Sequence, residues 1–337
     1  QGHASDFRAY EKTKDFDDLT AAEHTAAKAT AQKATLKTLR ACADPGNMPL
    51  SNNKAEGFQN KIITLLANAL GGDVQFFWRP YLERGLTRET FENNECDVLL
   101  DMPSDSELVL TTEPLYRSTY VLATRTDKNF NLQSLDDPRL KRLRVGVFQH
   151  SGVREALQRR GVSDNVDIHI ITPYADLAPE LQPWRQVQRV VDGELDVAAV
   201  WGPFAGWLVT MKKEPLTLQP VNLMEDQVPM EFELSIGMKK SDVILKYMLD
   251  RAINAKRDEI AKILTEYGVP LVQCSRCAAQ GTLPSHGSYM NRLRGLSKVE
   301  DRFLKQAEPR RNDGTESADQ HVDQKRVETW LADGADP

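Results

Sequence analysis

Residues 36–58 (LKTLRACADPGNMPLSNNKAEGF) are the stretch that most restricts what this chain can fold into. An apolar strand over 39–43 breaks at Asp44-Pro45-Gly46, passes Pro49, Ser51 and Asn52, and gives way to a helix near Glu56. A strand that runs through a Pro/Gly/Asn loop into a helix is the opening unit of an open α/β sheet. In such sheets ligands bind outside the carboxyl ends of the strands. Residues 44–52 are therefore expected to wall a pocket, with Asp44, Pro45 and Asn47 at its border.

The same alternation continues along the chain. Phe58, Ile62, Leu65, Leu66 and Ala69 fall on one helical face, and Gly71-Gly72 can accept the left-handed cap that ends the helix. Strands are expected over 74–78, 97–101 and 118–124, with a short helix over 87–93. A second set follows: strands over 144–148, 166–171 and 197–200, and helices over 153–160, 184–192 and 204–211. These lengths imply parallel pairing through right-handed crossovers. A strand over 232–238 and helices over 241–253 and 257–267 complete the pattern, closed by Gly268 and Pro270. The expected organisation is an N-terminal extension (1–35), a first lobe (36–123), a second lobe (124–225), a return to the first lobe (226–271) and a C-terminal extension (272–337). The alanine-rich N-terminal segment is expected to be partly helical and to lie outside the main fold. In the C-terminal extension, Ser297-Lys-Val-Glu300 is a capping box followed by Phe303 and Leu304, and Val327, Trp330 and Leu331 form a small apolar face. Two short amphipathic helices cannot build a core of their own. They dock on the body or on a partner, or stay disordered.

Composition removes several classes of function. A net charge of −6 with both signs interspersed lacks the basic surface that nucleic acids require. No apolar run is long enough for a membrane span. The six histidines show no metal-ligand spacing. No G-x-S-x-G, P-loop, H-E-x-x-H or PQQ-binding pattern occurs, so no catalytic set is assigned and no cofactor is expected. The four cysteines suit disulfides in an oxidising compartment. The chain starts at Gln1 without methionine; the expectation is an exported form with its signal peptide removed, the alternative a fragment.

Two α/β lobes, with the chain crossing to the second and returning, resemble the type II periplasmic solute-binding fold. The landmarks are Asp44-Pro45, Glu56-Gly57-Phe58, the crossover Thr111-Thr112-Glu113-Pro114-Leu115-Tyr116, Val145-Gly146-Val147 and the segment 191–197 (VDGELDV). A closer resemblance is to the MxaJ/XoxJ group, solute-binding-like proteins associated with PQQ-dependent methanol dehydrogenases. It rests on Cys42-Ala-Asp-Pro45, Pro49-Leu-Ser-Asn52, Thr87-Arg-Glu-Thr90, Glu95-Cys96-Asp97-Val98 and residues 116–121 (YRSTYV). The resemblance implies a periplasmic accessory protein that contacts methanol dehydrogenase subunits. A solute receptor for a small molecule is the alternative.

Amino-acid receptors of this fold hold the ligand carboxylate with an arginine before the crossover and its amine with an aspartate in the second lobe. Here residues 102–110 (MPSDSELVL) contain no basic residue, and the aspartate position falls on Trp201. Burying both charges of an amino acid without these partners costs several kcal/mol, which argues against a receptor of that kind. The remaining cleft candidates are Pro103, Ser104, Tyr116, His150, Ser151 and Trp201. The loop His150-Ser151-Gly152 opens a helix, where free amides can hold an anion; alternatively Ser151 only caps that helix. Trp201 is assigned to the cleft, and Phe204 and Trp207 to the core of the second lobe. Arg117 either lines the cleft or bridges to a carboxylate of the fold. Cys42 and Cys96 sit at the ends of neighbouring strands and are expected to form a disulfide, with two buried thiols as the alternative. Cys274 and Cys277 are expected to pair as a structural disulfide. A redox pair lacks its usual context, haem attachment fails at Ala278, and zinc lacks two ligands.

Overall fold

In the computed structural model, residues 6–10, 14–80, 91, 94–172, 174–222 and 229–285 are described. The helix expected over 87–93 falls almost wholly outside them, as do the capping box at Ser297 and the apolar face at Trp330.

The described chain opens with helix α1 (Ala21–Lys33), then β1 (Thr38–Ala43) and a tight hairpin of β2 (Gly46–Asn47) and β3 (Ser51–Asn52). Helix α2 (Phe58–Ala69) follows, burying Phe58, Ile62, Ile63, Leu66 and Ala67 at helical spacing. Gly71, at φ +90°, takes the left-handed conformation that stops it. Strands β4 (Asp73–Trp78) and β5 (Val98–Pro103) flank β1 in parallel. Then come β6 (Leu110–Thr111) and the long β7 (Tyr116–Arg125). The second half runs β8 (Val145–Phe148), α3 (Gly152–Arg159), β9 (Val166–His169), α4 (Trp184–Val191), β10 (Val197–Trp201), α5 (Gly202–Thr210) and β11 (Leu216–Pro220). The chain returns through β12 (Glu231–Met238) and ends with α6 (Val243–Ala255) and α7 (Arg257–Glu266).

The strands form one curled mixed sheet in the order β4-β1-β5-β12-β7-β10-β8-β9, with β6 paired to β12 and β11 to β7. Parallel pairing holds within each half, at β4-β1-β5 and at β10-β8-β9. The join between the halves is antiparallel. Tyr116–Thr119 of β7 face β12, and Tyr120–Thr124 face β10. The reason is directional: β7 leaves the first half and β12 re-enters it, so the two strands lie side by side in opposite senses. The strand expected over 118–124 begins two residues earlier, which places Tyr116 and Arg117 inside the sheet.

The N-terminal segment was expected outside the main fold, and here the structure differs. The backbone amide of Phe7 donates to the Thr35 carbonyl, and the Phe7 ring is buried. Helix α1 lies along α6; its Ala31 is buried, and such small side chains allow close helix approach. Thr20 and Glu23 form the capping box that starts α1. His24 Nδ1 meets the Tyr247 hydroxyl at 2.8 Å, Arg251 donates to the Gln32 carbonyl at 2.7 Å, and Arg8 pairs with Asp97. Polarity in the sequence concealed this because alanine surface and single aromatic anchors do the packing.

Residues 272–285 also belong to the body. Val272 donates to the Arg117 carbonyl, and Ala278 and Ala279 donate to those of Pro114 and Leu115. Cys274 and Cys277 are therefore buried against the sheet rather than carried on an exposed tail.

Both expected disulfides are present. Cys42–Cys96 has a Cα separation of 5.6 Å and Cys274–Cys277 one of 5.4 Å. The first forms because residues 94–97 curl back over β1. Arg40 holds the Asn94 carbonyl and the Asp97 carboxylate, and the Asp97 amide donates to the Arg40 carbonyl. The sequence separations are 54 and 3 residues. On the chain-entropy model the long loop is worth about 4 kcal/mol and the short one about 1.5 kcal/mol. Cys42→Ala with Cys96→Ala should therefore lower the denaturant-unfolding free energy about 2.5 times as far as Cys274→Ala with Cys277→Ala; equal losses would refute loop closure as the main contribution.

Candidate functional site

The β1–α2 loop is built as a compact turn. The Asp44 carboxylate accepts from the Gly46 amide at 2.9 Å, and its carbonyl accepts from the Ser51 hydroxyl at 2.7 Å. Ser51 in turn accepts from Asn60 on the first turn of α2, and Asn60 Oδ1 accepts from the Gly57 amide. Asp44 is half-buried, and Pro45 and Asn47 are buried. This loop touches the second half of the molecule. A Cβ built on Gly46 would lie 2.5 Å from the backbone nitrogen of Asp176 and 2.9 Å from the carbonyl carbon of Ala175. Only glycine fits this approach. The expected wall of the pocket is therefore in backbone contact with the loop after β9.

Beneath that loop lies a polar cluster that sequence reasoning missed. Asp101, on β5, is fully enclosed. Burial pushes its carboxyl well above the ordinary carboxylate range, partly opposed by the neighbouring Gln59 amide. Burial also pushes the Tyr116 phenol up, and the nearby Asp101 carboxylate would add to that. Gln59 lies beside that carboxyl, and among the described residues the buried Tyr116 hydroxyl has no hydrogen-bond partner. The Tyr116 ring packs edge-on against Phe58 at 5.9 Å. A buried carboxyl held toward its neutral form, an amide and a phenol can bind a neutral polar group. The available sequence signal was a carboxylate closing an otherwise apolar strand, Asp97-Val-Leu-Leu-Asp101.

The other expected cleft residues are dispersed. Pro103 ends β5 opposite Leu234. Ser104 donates its amide to the Glu233 carbonyl at 2.9 Å, and its hydroxyl meets that of Ser235 at 2.5 Å. Ser151 caps α3, its hydroxyl accepting from the Arg154 amide at 3.2 Å, while His150 is exposed. Trp201 is only 1% exposed and packs between Tyr120 and Phe232 at 5.5 and 5.8 Å, so it belongs to the core. The antiparallel join puts Trp201 directly opposite Tyr120 in the sheet, a pairing invisible from sequence. Phe204 and Trp207 are buried, as expected.

Arg117 bridges to a carboxylate of the fold. It pairs with Glu233, which Arg276 also holds at 2.7 Å, and Arg276 reaches on to Asp105 at 2.7 Å. Glu233 and Arg117 have almost no exposed side-chain surface. Glu233 and the sulfurs of Cys274 and Cys277 lie within 4.8 Å of one another. That grouping is not a metal centre in the disulfide form: zinc takes thiolates, and two guanidiniums already neutralise the carboxylate.

Comparison with known proteins follows from this geometry. No family model matches the chain. Protein MoxJ of Methylorubrum extorquens strain AM1 is 32% identical over 260 residues, covering 73% of this chain and 86% of that protein. The chain belongs to the MoxJ family. Protein MoxJ of Paracoccus denitrificans is 29% identical over 248 residues, covering 70% of this chain and 90% of its own length. The crystal structure of the periplasmic binding protein XoxJ from Methylobacterium extorquens AM1 matches with a TM-score of 0.55 and 29% identity, over 69% of this chain and 98% of that one. The crystal structure of MxaJ from Methlophaga aminisulfidivorans MPT gives a TM-score of 0.59 at 24% identity, over 69% and 99%. These matches place the chain in the MxaJ/XoxJ group and establish the periplasmic-binding-protein-like α/β fold. No helix among the described residues is long and apolar enough to cross a membrane.

Two outcomes test the buried groups of this MoxJ-family chain. The folded-state value of Asp101 lies above its unfolded value near 3.8. Its protonated form therefore stabilises the fold fully below that pH, and the contribution is lost as pH rises through the folded value. Melting curves from pH 4 to 8 should show Asp101→Asn gaining on the wild type as pH rises; a constant difference would refute the buried-acid assignment. Glu233→Gln leaves Arg117 and Arg276 without their shared carboxylate. It should lower the unfolding free energy by about 3–5 kcal/mol, read by denaturant titration; a loss below ~1 kcal/mol would mean that the pair is effectively solvated.

Proposed function

We propose that this chain is a non-catalytic periplasmic accessory protein of a PQQ-dependent methanol dehydrogenase system. It assists maturation, stabilisation or activation of the enzyme by contact with its subunits. Membership of the MoxJ family supplies the link to methanol oxidation. The observation that carries the reading is the contact of Gly46 with Ala175 and Asp176, which sets the loop expected to wall a ligand pocket against the loop after β9. Of the residues expected at the cleft, Ser151 caps a helix and Trp201 lies in the core, and Arg117 pairs with Glu233. A receptor converted in this way keeps its two-lobed surface for a protein. Under native extraction the protein should co-purify with the dehydrogenase subunits, and its deletion should lower dehydrogenase activity. Absence of both effects would sink the proposal.

A second reading, a receptor for a small uncharged solute, is favoured by the buried Tyr116 hydroxyl, which has no hydrogen-bond partner among the described residues and lies near Asp101 and Gln59. A cognate solute at one hundred times its Kd would stabilise the protein by about 2.7 kcal/mol. A metabolite screen by thermal shift decides between the two readings, since a specific shift abolished by Gln59→Leu supports the receptor and a flat panel rejects it.

A further inference from the structure

Among the described residues, five of the six highly exposed large apolar side chains fall between positions 168 and 181. They are Ile168, Ile170, Tyr174, Leu177 and Leu181, with exposures reaching 65% at Tyr174 and 78% at Leu177. Ile168 lies in β9, the last strand of the sheet. The carbonyls of Asn165 and His169 bond to β8. By strand alternation the backbone groups of Val166, Ile168 and Ile170 point outward from the edge. Natural edge strands are usually blunted by charge or covered, and exposed apolar clusters mark docking surfaces. The rim is acidic. Residues 164–194 contain six carboxylates against two arginines, and among them Asp164 and Glu180 are exposed.

We propose that residues 291–311 of this same chain dock on this apolar, acid-rimmed edge. Three observations select that segment. The first is charge: residues 291–311 (NRLRGLSKVEDRFLKQAEPRR) hold seven basic and three acidic residues, a net of +4 against the −4 of the edge. The second is apolar pattern: Val299, Phe303 and Leu304 follow the Ser297 capping box and need a surface to cover. The third is reach. The Ser285 hydroxyl donates to Glu231 at 2.8 Å at the start of β12. From there, Glu231 faces Thr119 and the adjacent Tyr120 faces Trp201; β10 pairs in turn with β8, and β8 with β9 as far as His169. Four strand spacings amount to about 19 Å, and the six steps of chain from residue 285 to 291 can span about 20 Å. Charge also argues against other occupants. A second copy would bring an identical acidic edge, and residues 312–337 hold seven acids against two bases.

The test uses the full chain with a photo-cross-linker at the most exposed position, Leu177→p-benzoylphenylalanine. Because Leu177 is exposed, the replacement leaves the core intact. Irradiation followed by peptide mass spectrometry should give intrachain cross-links to residues 291–311. The yield should fall about tenfold or more with Phe303→Asp and Leu304→Asp together, and should drop on raising salt from about 0.05 to 0.5 M as screening weakens the charge match. Cross-links to a second copy, to another protein, to any other segment of the chain, or none at all would overturn the proposal. It stands independently of the dehydrogenase link.

Discussion

One strand carries the register of the whole molecule. The first four residues of β7 are paired with β12 and the next five with β10, so neither half of the sheet is completed without it. Its interior residues are buried almost throughout. Serine and threonine at positions 118 and 119 are tolerated there because their hydroxyls donate to the carbonyls of Pro270 and of Tyr120 and Met230. Arg117, in the same strand, is tolerated because Glu233 stands opposite it in the ladder. The buried ion pair thus fixes which residue of β12 faces which residue of β7. A slip of one residue would turn Glu233 to the other face and leave the arginine charged and unpaired.

The polar network extends this anchoring to the ends of the described chain. Glu233 joins Arg117 to Arg276, and Arg276 lies between the two cysteines of the short disulfide. Arg257, at the start of α7, donates to the Cys277 carbonyl. At the other end, Asp97 receives both Arg8 and Arg40, tying the N-terminal segment to β1. The Glu233 and Asp97 carboxylates of these pairs are shielded from solvent, so the pairs resist screening better than fully exposed pairs do.

Much of this was legible in the sequence. The strand–loop–helix unit after residue 36, the alternation in both halves and both disulfides follow from short apolar runs, Pro/Gly punctuation and cysteine placement. What was not legible is long-range. Trp201 looks like a cleft residue because it follows a strand, yet Tyr120 and Phe232 enclose it once the two halves share a sheet. Ser151 takes the capping role that its place before Gly152 allowed. Asp101 and Gln59, 42 positions apart, meet only through the packing of α2 on β5. The N-terminal segment was misplaced because its contacts rest on small side chains, which leave no periodic apolar signal.

The approach of Gly46 to Asp176 bears on association kinetics. A binding protein whose halves swing freely must lose that motion when it is captured. Here the two loops already touch through backbone atoms, with no side chain between them to reorient. A partner that recognises both halves meets a preorganised surface, and less ordering entropy opposes the complex. Inserting a methyl group at that one glycine would wedge the loops apart and restore the motion, leaving the outer surface of each half chemically unchanged.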